Sequence, residues 1–170
     1  MDKNKAVEKI LERIREKLGD REEARKLLTQ VAEDLETSGL VWLTEDKIEF
    51  NDVVFHLGVA ALVDMVAYGL SNNPDKAIEI IRKQSPEDLL ITGITLALID
   101  IIILERTRRN IPKPNVFKAE YIAALNILAT TMLNTVKTRD KEFYMYLMKT
   151  AQQVKDQAEL IYKRYVRRKQ

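Results

Sequence analysis

Conventional reactive groups are scarce in this 170-residue chain, which holds one histidine, His56, three serines, Ser38, Ser71 and Ser85, and no cysteine. Without cysteine there is no disulfide framework, thiolate metal site, redox pair or cysteine nucleophile. A serine triad would have to draw on His56, and each serine sits where a helix end or turn has its own use for a hydroxyl. One imidazole also falls short of the Glu-x-x-His pairs that di-iron bundles take from two helices. His56 follows Asp52 by four residues, so the two can share a helical face, and a carboxylate-oriented histidine there would serve as base or ligand. No second ligand or nucleophile accompanies it, so a hydrogen-bonded histidine in a first helical turn is the plainer expectation. Gly19, Gly39, Gly58, Gly69 and Gly93 are isolated, which excludes the common glycine-rich phosphate loops.

Asp64 and Asp100 stand inside apolar runs, where an unpaired charge is costly. Two inward carboxylates on packed helices could hold Mg²⁺, as in all-α nucleotide pyrophosphohydrolases, and Glu33 with Glu36 adds one Glu-x-x-Glu. Those enzymes place a second acid pair at helical spacing on a following helix. Asp100 and Glu105 are five apart here and turn onto different faces. Asp64 and Asp100 are thus the candidate metal pair, and the plainer expectation is a marginal Asp bonded to Arg, Lys, Tyr or a hydroxyl. No cofactor is expected.

The basic residues carry more. Residues 1–50 hold 10 Lys and Arg against 13 Asp and Glu, residues 51–104 hold 3 against 7, and residues 105–170 hold 15 against 6. A formal charge of only +2 therefore hides an acidic first part and a last part at +9. Such a division points to an anionic partner, to head-to-tail assembly, or to ion pairing inside the domain. Arg106, Arg108 and Arg109 close one helical segment, and Tyr162, Lys163, Arg164, Tyr165, Arg167, Arg168 and Lys169 crowd the end of the chain. On a helix Lys163 and Arg167 share one face and Arg164 and Arg168 the next, with two tyrosines beside them for stacking or cation–π contacts. One continuous basic surface from the three arginines and the last helical turns is the expectation. Cations also belong at helix C-termini, and basic tails also solubilise.

The elements that must position these groups read as helices almost throughout. Val7, Ile10, Leu11, Ile14 and Leu18 form a stripe closed by Gly19, and Asp20 with Glu23 opens a second helix ending at Gly39. Leu40–Phe50 alone alternates like a short β-hairpin. Asn51 or Asp52 caps an apolar helix running to about Tyr68, Asn73-Pro74 starts a short one, and Ser85-Pro86-Glu87-Asp88 is the clearest helix start in the chain. That helix runs to about Arg109, before Pro112 and Pro114. A further helix spans 116–136, and the last runs from about Arg139 along Phe143, Leu147, Thr150, Val154, Ala158, Ile161 and Tyr165.

The expected fold is all-α, a single-domain bundle of six or seven helices with a short β-hairpin near residues 40–50. Residues 1–50 form a peripheral helical pair plus hairpin, 51–137 the core, and 138–170 a long basic helix. Leu62, Val66, Leu96, Ile99, Ile102, Leu125, Leu128 and Met132 are the expected core. Leu89–Leu104 is too short for a membrane span and is broken by Asp100, so a central bundle helix is expected and no membrane partner. The charged N-terminal residues lack an apolar leader, and a cytoplasmic protein is expected. Abundant charge without cysteine also fits a hyperthermophile.

These observations favour a non-catalytic interaction or assembly subunit that meets a protein partner or itself, with its basic C-terminal surface exposed. A nucleic-acid binder of little sequence specificity is the alternative, and an Mg-dependent nucleotide hydrolase comes third. A winged-helix reader is disfavoured because residues 20–37 bear more acids than bases and would be repelled by phosphates. In size, helicity and a basic face the chain is similar to small helical subunits of type III CRISPR effector complexes, which implies stacking along a nucleic-acid channel. Virus- or plasmid-encoded helical proteins fit the same description.

Overall fold

The computed structural model describes residues 8–13, 16, 21–44 and 47–169, the side chains at 21, 70, 74 and 165–169 excepted. The chain is all-α with one two-stranded hairpin. Helix α1 is described at residues 8–13 and 16. It is followed by α2 (Arg21–Thr37), β1 (Val41–Leu43), β2 (Ile48–Phe50), α3 (Val53–Asn72), α4 (Pro74–Lys83), α5 (Pro86–Arg108), α6 (Ala119–Arg139) and α7 (Lys141–Lys169). The stop at Gly19 and the capping pair begun by Asp20 lie outside the described residues, as do Val7, Ile14 and Leu18.

Local chemistry accounts for most of the boundaries. Ser85 Oγ accepts from Asp88 N–H at 3.1 Å, so the Ser-Pro-Glu-Asp start of α5 is capped as its sequence predicts. Asp140 Oδ1 accepts from Phe143 N–H at 3.0 Å and opens α7 in the same way. Helix α5 ends in a Schellman turn. Asn110 adopts φ 56°, and the Ile111 and Asn110 N–H groups return to the carbonyls of Arg106 and Thr107 at 2.9 and 3.1 Å. In the hairpin Val41 pairs with Phe50 and Leu43 with Ile48 on the buried face, while Trp42 and Glu49 pair on the outer one.

Two boundaries differ from the sequence reading. Helix α3 continues past Gly69 to Asn72, because α4 packs against that glycine: a Cβ there would stand 2.3 Å from Ala77 Cβ. Helix α6 begins at Ala119 rather than 116, since Asn115 Oδ1 captures Phe117 N–H at 3.2 Å and holds residues 115–118 in a turn that buries Val116.

Helix α5 is the hub and touches α2, α3, α6 and α7. Its closest neighbour is α3, and the two meet at Gly58 and Gly93, where a Cβ on Gly93 would lie 2.4 Å from the Gly58 carbonyl oxygen. Leu62, Val66, Ile99, Ile102, Leu125, Leu128 and Met132 are buried as expected, and Leu96 is half-buried. Among the described residues no helix is long and apolar enough to cross a membrane.

Candidate functional site

The arginines at the end of α5 face inward as well as outward. On α2 the apolar stripe Leu27, Val31 and Leu35 passes over Asp34, which is thereby carried into the α2–α5 contact and is 2% exposed. Arg106 Nε lies 2.7 Å from Asp34 Oδ2, and Arg109 pairs with the other oxygen of the same carboxylate. Arg106 Nη1 also donates to the Pro112 carbonyl at 2.8 Å, a partner delivered by the turn at Asn110. Arg108 pairs with Glu105 one turn back and holds that carboxyl below its usual range, while its own side chain stays 64% exposed. Arg106 and Arg109 are thus committed to an internal ion cluster. For these two the expected continuous basic surface gives way to ion pairing within the domain, because the buried Asp34 charge would be costly if left unpaired. Tyr121 of α6 abuts the cluster with a buried hydroxyl that has no hydrogen-bond partner among the described residues, and burial pushes its ionisation up to about 12.

Asp64 and Asp100 do come together. They lie on adjoining edges of α3 and α5, and burial followed by the Asp64 charge pushes the Asp100 carboxyl above its usual range. Both are nonetheless exposed, and no group of three or more His, Cys, Asp or Glu among the described residues is placed to hold a metal ion. The expected His56–Asp52 relation is replaced. Asp52 pairs with Arg139 at 3.0 Å, and His56 is exposed beside the rings of Phe143 and Tyr146, with centroids 5.9 and 6.5 Å away.

At the other end of the charge division, Lys163 and Arg164 are exposed on α7. Tyr162 is half-buried and engaged from within the fold, with the Arg82 guanidinium 4.1 Å from its ring centroid. The side chains of Tyr165, Arg167, Arg168 and Lys169 lie outside the described residues.

A surface that the sequence reading did not single out runs along α3. That helix was expected at the centre, yet one face of it is solvent-exposed from end to end: Val53, His56, Leu57, Ala60, Val63, Asp64, Ala67, Tyr68 and Ser71. Val53 is 45% exposed, Leu57 40%, Val63 53% and Tyr68 70%. In a chain with 32% charged residues, Asp64 is the one Asp, Glu, Lys or Arg in the 20 residues of α3. Toward α7 the face continues into an apolar groove between Val59, Val63 and Ala67 on one side and Thr150, Val154 and Ile161 on the other. The signal was visible but ambiguous: a helix apolar on every side has no periodicity to say which side is covered. Comparison with known proteins gives no match to the chain from family models, curated proteins or solved structures.

Proposed function

We propose that this chain is a non-catalytic helical assembly subunit whose working surface is the outer face of α3. A strip of exposed apolar side chains rimmed by polar ones marks interaction sites in proteins of this size. The observation that carries the reading is the near absence of charge along that strip. The basic C-terminal turns then serve the assembly as a polar rim rather than as its centre, since Arg106 and Arg109 already neutralise Asp34.

Light scattering across a salt series, with and without an oligonucleotide, tests this. An apolar contact keeps a particle heavier than 19.7 kDa intact as salt rises and leaves the oligonucleotide unbound. A monomer at every salt concentration would overturn the reading. If that monomer also bound the oligonucleotide with a steep salt slope, about −0.7 to −0.9 per phosphate neutralised, nucleic-acid binding through the basic end would replace it.

A further inference from the structure

We propose that another copy of the chain seats the Phe117 ring of its α5–α6 loop in the apolar groove between α3 and α7. The proposal rests on the assembly reading above and adds the anchor that makes the contact. Phe117 is 79% exposed, more than any other large apolar side chain among the described residues. The loop itself holds the ring in solvent. Val116 is buried immediately before it, and Asn115 Oδ1 captures the Phe117 N–H. Pro112 and Pro114 stiffen the approach, and the Pro112 carbonyl is tied to Arg106 at 2.8 Å. A ring presented on a preformed loop loses little freedom on binding, which suits it to anchor an interface. So exposed a ring does not fill the groove of its own chain.

The groove has the matching shape and surroundings. It offers about 620 Å³ between Val59, Val63 and Ala67 on α3 and Val154 and Ile161 on α7, and no charged side chain lines it. Asp64 follows Val63 on the exposed face of α3, with Asp100 nearby, and neither has an ion-pair partner among the described residues. Whatever covers this face must neutralise Asp64 or leave its carboxylate buried and unpaired. A wholly apolar partner cannot do so. The Phe117 loop can, because Lys113 and Lys118 are exposed on either side of the ring in sequence and also have no ion-pair partner among the described residues. That loop lies in the part of the chain that carries +9, and α3 lies in a part that carries −4. One chain thus holds both halves of the contact, a ring between two lysines and a groove beside two acids. Each contact joins the loop of one copy to the groove of another.

Two variants that break opposite halves of the contact test this. Phe117→Ser keeps the groove and Val63→Glu keeps the ring. Each alone should need at least about thirtyfold more protein than wild type to assemble, the loss expected of an anchoring aromatic. Mixed in equal amounts they should form one-to-one pairs, because the ring of the Val63→Glu variant still finds the groove of the Phe117→Ser variant. Lys113→Glu with Lys118→Glu should weaken assembly by setting acids against Asp64 and Asp100, and adding Asp64→Lys with Asp100→Lys should restore it. All of these side chains are exposed, so unchanged circular dichroism would show that each variant folds. A wild type that assembles no better than Phe117→Ser, or a mixture that forms no pairs, would refute the seating of Phe117 and leave the assembly reading standing. A wild type that scatters as a monomer at all concentrations would refute both.

Discussion

Arg106 Nε sits 2.7 Å from Asp34 Oδ2, which fastens the end of α5 to the inner face of α2 through a carboxylate with 3% side-chain exposure. Removing Arg106 takes one of two cations from a poorly solvated carboxylate, leaving Arg109 on its other oxygen alone. Arg106→Ala should therefore cost about 3 kcal/mol, a fall in Tm of roughly 6–12 °C for a chain of this length. Arg108→Ala removes a side chain 64% exposed from a Glu105 side chain only 8% exposed, and should cost less, about 1 kcal/mol, because Arg109 stays 3.5 Å from that carboxylate. Thermal melts of the two variants decide the matter, and equal effects would contradict the division between internal and surface arginines.

Tyr121 lies beside the same cluster with its hydroxyl unsatisfied, so Tyr121→Phe should be neutral or stabilising by up to about 1 kcal/mol. Ionisation of the buried phenol is raised from 10.0 to about 12. Because the folded value lies above the unfolded one, the resulting stability is fully present below pH 10 and is lost as pH rises toward 12. Phenolate absorbance followed against pH should show that Tyr121→Phe removes the latest-titrating tyrosine of the wild type, later than Tyr144, which burial and Glu87 also raise.

The α3–α5 crossing has no room for a side chain at Gly93, where a Cβ would stand 2.4 Å from a backbone oxygen and 2.9 Å from Leu62 Cγ. Gly93→Ala should destabilise by about 1–3 kcal/mol, as overpacking does. Gly58→Ala, whose closest contact would be 3.1 Å, should cost less. Denaturant midpoints in the reverse order would show that the helices cross elsewhere.

Asp100 has its carboxyl raised by burial and by Asp64, so ionising it weakens the fold. That penalty is absent below the ordinary carboxylate range, grows as pH rises through it, and is constant above the raised value. Asp100→Asn should accordingly melt slightly higher than wild type at pH 7 and equally at pH 3. The gain is small because the side chain is exposed and solvent screens it. A variant equally destabilised at both pH values would contradict the repulsion.

Much of this fold was legible in the sequence because its signals are local. Ser85 and Pro86 fix the start of α5 by capping chemistry, and the alternation in Val41–Leu43 and Ile48–Phe50 fixes which hairpin residues point inward. The stripe on α7 likewise buries Leu147, Val154 and Ala158. What was not legible depends on distant partners. Asp34 reads as one more acid on an acidic helix until its place in line with Val31 and Leu35 is matched with arginines 72 and 75 residues away. Gly69 reads as a helix stop, whereas the approach of Ala77 explains it. The outward side of α3 could not be read at all, since apolar residues surround that helix and only the placement of α4, α5 and α7 leaves one side open.

The dependence of melting temperature on protein concentration tests most directly whether the α3 face is a contact between folded chains. A contact made only by the folded state raises stability by mass action, so wild-type Tm should climb by several degrees between about 1 and 100 μM. Val63→Glu, which places a charge at a position 53% exposed in the single chain, should melt at one temperature throughout that range. A wild-type Tm that does not move with concentration and coincides with that of Val63→Glu would contradict the assembly role of α3.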